Sequence, residues 1–198
     1  MCFTQKTKHN IVYIIVAFLF NYLLSYLSLL RNHALFFIIF QLVIFGVPSF
    51  IYLKNNEVEF NRVSFLKSIC LFCIGIFIII SQLEIFRLLN PDYLFDKPEI
   101  GFLSLISVVL ISPITEEYFF RVFVFDNLMK KKIYKSIYIV FLTSLIFAVF
   151  HINIYSIIFS LIPGLYLSYI MLKYKSIKNC ILMHSGMNLV SLYLYKLF

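Results

Sequence analysis

Long runs of apolar residues alternate with short polar breaks along the whole chain. Most of these runs are about 20 residues long, which is the length that a helix needs to cross a bilayer. None shows the alternation or the ten-residue period of a membrane β-barrel. The pattern therefore predicts an all-α fold, a polytopic membrane helical bundle with about seven transmembrane helices. The seven segments are 11–30, 34–53, 65–83, 101–128, 134–152, 154–172 and 177–196.

Composition narrows the class of protein further. Of the 198 residues, 62% are hydrophobic and 13% are charged, whereas soluble domains are about 45–50% apolar and about 25% charged. The net charge of +8 could indicate nucleic-acid binding, but the Lys and Arg residues cluster in the short breaks, as the positive-inside rule describes. We therefore expect the lipid bilayer as a partner and no nucleic acid.

The basic residues also predict an orientation. If the N-terminus lies inside, the acidic break 84–100 lies outside, and most of the basic residues in the breaks lie on the inner side. The apolar run 11–30 is too long for a signal-peptide core, so we expect a retained first span. Richness in Ile, Lys, Asn and Phe is typical of an AT-rich bacterial genome. We therefore expect a multi-pass protein of a bacterial cytoplasmic membrane. The inner residues are Lys6, Lys8, Lys54, Arg62, Lys67, Lys130, Lys131, Lys132, Lys135, Lys173, Lys175 and Lys178, and the outer ones are Arg31, Arg87, Lys97 and Lys196.

Cysteine spacing gives only a weak signal. Cys70 and Cys73 have C-x-x-C spacing inside an apolar run, without a second pair or a nearby His. Such cysteines are more often buried small hydrophobic residues than a zinc or redox site.

The second half of the chain carries a set of ionisable residues within its apolar segments, and the first half has nothing comparable. Glu116, Glu117 and Arg121 lie within the fourth segment, where each charge costs about 2.5–3.5 kcal/mol near the bilayer centre. His151 lies late in the fifth segment and His184 in the seventh. By contrast, Gln41 and Gln82 are single polar residues that ordinary helix–helix hydrogen bonding explains. Because ionisable groups inside a membrane usually mark function, we expect the site in the second half.

Helical spacing sorts these groups by face. Glu117 and Arg121 are four residues apart with the acid first, the favourable order for an ion pair. His184 and Asn188 share one face of the seventh helix by the same spacing, and Phe147 lies one turn before His151. Glu116 is rotated by about 100° from Glu117, so the two carboxylates cannot share one partner equally.

Two kinds of chemistry fit these residues. A carboxylate facing a histidine across a water can act as a general base, and a second His with an Asn amide can stabilise an oxyanion. That inventory suits amide-bond hydrolysis. Two His and a carboxylate (His151, His184 and Glu116) could instead bind a divalent metal such as zinc. The absence of H-E-x-x-H disfavours a conventional zinc protease but leaves both possibilities open.

Three motifs in order then resemble a known family. Glu116-Glu117-x-x-x-Arg121, Phe147-x-x-x-His151 and His184-x-x-x-Asn188 are similar to the motifs of the CAAX protease and bacteriocin-processing family (CPBP, or Abi) of intramembrane endopeptidases. The resemblance covers about 105–195. One departure is Val122, where members often have glycine.

The resemblance implies a role for each motif residue. Glu116 and His151 would activate the hydrolytic water without a required cofactor, although some members were first described as metalloproteases. His184 and Asn188 would stabilise the oxyanion, Glu117 and Arg121 would form a supporting ion pair, and Phe147 would pack within its motif. Residues 101–198 would then be the protease core, and 1–100 would hold helices 1–3 and the outer loop without a motif.

The sequence thus predicts an intramembrane endopeptidase that cleaves a peptide precursor or a membrane-protein tail. One alternative is a non-catalytic membrane partner, such as a bacteriocin-immunity or sensor-binding protein that keeps the fold. A weaker alternative is a proton-coupled transporter with a Glu/His relay, which no inverted repeat supports. The substrate and the oligomeric state are not predicted.

Overall fold

The computed structural model describes residues 12–19, 22, 34–89, 101–132, 135–151 and 154–197, and these residues form helices without any strand. The all-α prediction is confirmed. Seven helical segments correspond to the seven apolar segments of the sequence. They are α1 (12–19), α2 (Ala34–Gln41, Leu42–Gly46 and Val47–Asn55), α3 (Phe65–Leu89), α4 (Phe102–Lys130), α5 (Ser136–Val149), α6 (Ile154–Tyr174) and α7 (Ile177–Leu197).

Four of these helices are long and apolar enough to cross a membrane. They are Leu35–Asn55, Phe65–Leu88, Phe102–Lys130 and Ile154–Tyr174. Helix α5 has only 14 residues, about 21 Å of rise, whereas a hydrocarbon core is about 30 Å thick. Most of the predicted first span and residues 90–100 of the predicted outer break lie outside the described residues. The polytopic helical bundle is confirmed, and these helices make the protein an integral membrane protein.

Three loops meet at one end of the bundle. The Lys130 Nζ atom donates to the Glu57 carbonyl at 3.1 Å, which joins the α4–α5 turn to the α2–α3 loop. The Asn61 amide donates to the Lys175 carbonyl at 2.9 Å, which joins the same loop to the α6–α7 turn. The basic breaks that the charge pattern assigns to one side therefore do lie at one end of the molecule.

Helix α4 lies between two apolar clusters. On one side Phe119, Phe120 and Phe123 pack with residues of α1 and α2 and with Phe150 after α5. On the other side Phe125 packs with residues of α3, α5, α6 and α7. The α4 helix thus contacts both halves of the chain, and Val122, the residue that departs from the motif, is fully buried in it.

Two glycines allow helices to approach closely. A Cβ at Gly164 would lie 3.0 Å from Phe147 Cδ1 and 3.4 Å from the Ser144 carbonyl, so α6 approaches α5 closely beside Pro163. A Cβ at Gly186 would collide with the Phe72 ring, 2.7 Å from Cζ. These contacts fix α5 against α6 and α3 against α7.

The C-x-x-C pair is not buried as expected. Cys70 and Cys73 are exposed free cysteines on α3. Their neighbours Phe65, Leu66, Ile69 and Ile74 are exposed as well, so this face of α3 is apolar and suited to contact lipid.

Candidate active site

Helix α4 holds the charged motif through a change of helical geometry. Its α-helical turn Ser112–Glu117 is followed by a π-helical stretch, Tyr118–Asp126. Glu117 and Arg121 are fully buried, and Arg121 Nε donates to Glu117 Oε2 at 2.8 Å. The expected contact is therefore present, and because it pairs two buried charges it offsets much of their desolvation cost.

Arg121 also reaches two serines that the sequence did not indicate. Its Nη1 donates to Ser168 Oγ at 3.0 Å, and Ser168 Oγ lies 3.0 Å from Ser144 Oγ. The guanidinium carbon lies 5.1 Å from the Phe147 ring centroid, within the range of a cation–π interaction. Arg121 thereby connects α4 to both α5 and α6. A single hydroxyl in an apolar helix carries no signal that would have singled out either serine.

His184 connects α7 to both carboxylates of the motif. Its Nδ1 lies 2.9 Å from Glu117 Oε1, and its Nε2 lies 3.9 Å from Glu116 Oε2. The two carboxylates contact His184 unequally, because adjacent residues of an α-helix are rotated by about 100° around its axis. The hydrogen bond of His184 is with Glu117, and its contact with Glu116 is the longer one. We call the set His184, Glu117, Arg121, Ser168 and Ser144 the buried charge network.

Glu116 differs from its neighbour in what surrounds it. Its side chain keeps 14% of its surface accessible, whereas that of Glu117 has none. The contact with the His184 ring is longer than a hydrogen bond, and Ser112 lies one turn before Glu116 in the same α-helical stretch. Glu116 is therefore the carboxylate that a water or a substrate can reach.

Phe147 brings the two histidines to one place. His151 Nδ1 lies 3.0 Å from the Phe147 carbonyl, and the Phe147 ring packs edge-on against both imidazoles, at centroid distances of 4.9 Å to His151 and 5.7 Å to His184. The hydrogen bond uses Nδ1 as the donor, which leaves His151 Nε2 as an acceptor. His151 is exposed, so its free nitrogen is open to a further partner.

Asn188 fastens α7 to a second irregular turn of α4. Its Nδ2 donates to the Val108 carbonyl at 2.8 Å, within the π-helical turn Ser107–Ile111. In that turn the Ser112 amide donates to the Ser107 carbonyl. In the same pattern, the amide that would donate to the Val108 carbonyl belongs to residue 113, which is a proline without an N–H. Asn188 thus supplies the donor that Pro113 lacks, and its second amide hydrogen remains for another acceptor.

The described residues do not form a metal site. No group of three or more His, Cys, Asp or Glu side chains is arranged to hold an ion in the part of the chain that the structure describes. His184 Nε2 and Glu116 Oε2 are 3.9 Å apart, and His184 Nδ1 is bound to Glu117. Among the described residues His151 is not grouped with this pair as a third metal ligand.

One family model matches the chain. Residues 98–190 match the model described as type II CAAX prenyl endopeptidase Rce1-like, a region that contains all three motifs. No curated protein and no solved structure matches the chain. The resemblance that the motifs indicated is confirmed. The helical region from α4 to α7 therefore holds an Rce1-like domain, which is consistent with the CAAX protease family.

Proposed function

We propose that this protein is an intramembrane endopeptidase in which Glu116 activates the hydrolytic water. The observation that carries the proposal is the difference between two adjacent carboxylates. Glu117 is sealed and paired with Arg121, whereas Glu116 is partly accessible and lies beside His184 without a direct hydrogen bond to it. An accessible carboxylate next to an imidazole is the arrangement that general-base catalysis requires.

The proposed reaction begins with a water held by Glu116 and by the free Nε2 of His151. Glu116 takes a proton from this water, and the resulting hydroxide attacks the carbonyl carbon of the scissile peptide bond. The carbonyl electron pair moves to oxygen. The proton on Glu116 then passes to the amide nitrogen as the C–N bond breaks, which gives a carboxylic acid and an amine.

Two donors are available for the negative charge of the intermediate. With its Nδ1 fixed by Glu117, a protonated His184 can donate from Nε2 to the oxyanion, and Asn188 can donate its second amide hydrogen. One such donor contributes about 10²–10³ in rate in other hydrolases. The buried charge network keeps the His184 ring oriented for this task. No metal takes part in the proposed mechanism.

We propose a substrate that reaches the site from the membrane, either a peptide precursor or the tail of a membrane protein. The name of the matching family points to prenylated CAAX tails, and the resemblance of the motifs to the bacteriocin-processing family suggests peptide maturation or bacteriocin immunity. The basic loops at one end of the bundle support an orientation with the N-terminus inside a bacterial cytoplasmic membrane, since basic loops remain on the inner side.

The test is cleavage of a quenched fluorescent peptide with a prenylated CAAX end, beside the same peptide without the lipid, by purified protein in bilayers. Glu116→Gln should lower the rate by about 10²–10⁴ and leave the protein folded. Glu84→Gln, an exposed carboxylate of α3, is the matched control. Full activity of Glu116→Gln would refute the proposal. If the unaltered protein cleaves neither peptide and Glu116→Gln keeps its cellular phenotype, the non-catalytic partner is the better explanation.

A further inference from the structure

Gln41 reaches the candidate active site from a helix outside the matched region. It lies in α2, it is 1% exposed, and its Nε2 donates to the hydroxyl of Ser112 in α4. Ser112 is itself 5% exposed and precedes Glu116 by one turn. The contact therefore links a residue of the first hundred to the immediate surroundings of the accessible carboxylate.

Ser112 differs from several other helical serines of this bundle. Serine hydroxyls inside helices often donate to the carbonyl four residues earlier, as Ser49, Ser144 and Ser160 do here. For Ser112 that carbonyl belongs to Val108, and it already accepts a hydrogen bond from Asn188. The Ser112 hydroxyl instead accepts a hydrogen bond from Gln41, and it lies four residues before Glu116, where side chains of one helix are neighbours.

The hydrogen-bonding capacity of a hydroxyl gives this contact a direction. A serine hydroxyl has one donor hydrogen and two acceptor lone pairs. The Gln41 amide donates into a lone pair, so the single hydroxyl hydrogen is directed away from Gln41. Four residues further along the helix, the Glu116 carboxylate is placed as its neighbouring acceptor. In this arrangement Gln41 determines where Ser112 donates.

We propose that Gln41 is a positioning residue that holds the Glu116 carboxylate in its reactive orientation through Ser112. The proposal rests on the proposed function of Glu116 and extends the catalytic apparatus to α2, beyond the domain at 98–190. Without Gln41, the Ser112 hydroxyl rotates freely and the carboxylate loses a fixed partner, and small displacements of a reacting group are costly in rate.

The experiment is a double-substitution cycle in the peptide-cleavage assay with Gln41→Leu, Ser112→Ala and the combination. We expect each single variant to lower kcat by about tenfold with KM within about twofold. The double variant should lose no more than Ser112→Ala alone, because Gln41 acts through Ser112. The matched control is Gln82→Leu. Gln82 also donates to a neighbouring helix, to the Phe159 carbonyl at 3.3 Å, and its Oε1 likewise has no partner.

A second measurement does not depend on catalysis. The rate at which dicyclohexylcarbodiimide modifies Glu116, followed by mass spectrometry, should rise several-fold in Gln41→Leu and Ser112→Ala, because the carboxylate oxygen is released from its hydrogen bond. It should not change in Gln82→Leu.

Each outcome bears on one of the two proposals. Additive losses in the cycle, equal losses in Gln82→Leu, or an unchanged modification rate in Gln41→Leu would each overturn the role of Gln41. An active Glu116→Gln protein would instead refute the proposed function, and the carbodiimide result would still decide whether Gln41 positions Glu116.

Discussion

His184 contacts Glu117 through Nδ1 at 2.9 Å, and it is thereby fixed to the carboxylate that water does not reach. The other oxygen of Glu117 binds Arg121 at 2.8 Å. Glu117 therefore contacts two partners, Arg121 in α4 and His184 in α7. Glu116, its neighbour in the sequence, makes only a longer contact with His184. The adjacent residues should respond to substitution in opposite ways.

Glu117→Ala should destabilise the fold, since it leaves Arg121 as an uncompensated buried charge. Removing one partner of a buried pair costs about 3–5 kcal/mol, and Glu116→Ala should change the free energy of unfolding by less than about 1 kcal/mol. Thermal or denaturant unfolding in detergent measures both. A larger loss of stability in Glu116→Ala than in Glu117→Ala would contradict these assignments.

Gly186→Ala should separate α7 from α3 and displace His184, because the added methyl group would collide with the Phe72 ring. Overpacking of this kind costs about 1–3 kcal/mol, and cleavage should fall with it. Phe72→Leu in the same protein should restore both, since it removes the colliding ring atoms. Gly46→Ala is the control, because a Cβ there meets nothing within 4 Å. If Gly46→Ala were as harmful as Gly186→Ala, the collision would not be the cause.

Chelation should leave peptide cleavage unchanged, because the described residues hold no metal site and the proposed base is a carboxylate. The assay is run after extended treatment with EDTA and with 1,10-phenanthroline, with metal content measured on the same samples. Loss of activity that zinc restores would show a metal-dependent mechanism instead.

Labelling with a membrane-impermeant thiol reagent should report one common side for the α2–α3 loop and the α4–α5 turn. Glu59→Cys and Lys131→Cys, each in a background without the native cysteines, should react only from the cytoplasmic side, since both lie at the basic end. Glu84→Cys, near the other end of α3, should react only from the opposite side. Reaction of Glu59→Cys and Lys131→Cys from different sides would contradict the fold. If both variants reacted from outside, the proposed orientation would be wrong and the fold would still hold.

Local patterns explain what could be predicted from the sequence. The helical segments follow from the lengths of the apolar runs, and the Glu117–Arg121 contact follows from a four-residue spacing within one helix. Contacts between helices were harder to predict. The π-helical stretches Ser107–Ile111 and Tyr118–Asp126 change the angle between successive residues, so faces assigned at 100° per residue no longer hold beyond them.

The contributions of Gln41 and Ser112 were missed for a related reason. An isolated Gln in an apolar span has an ordinary explanation in helix–helix hydrogen bonding, and the structure does show such a bond. The proposed importance of Gln41 comes from Glu116, which lies one turn beyond Ser112. Whether Gln41 can reach Ser112 depends on the packing of α2 against α4. No spacing rule within one helix contains this information.

The partial exposure of Glu116 has an evolutionary consequence. The buried charge network that fixes α4, α5, α6 and α7 does not include this carboxylate, so under the proposed mechanism a single substitution at position 116 would remove the chemistry and leave the architecture intact. A descendant changed in this way would still keep the buried charge network and the packing of these four helices. Catalysts and inactive binding proteins can therefore arise from one another on this scaffold by one residue change.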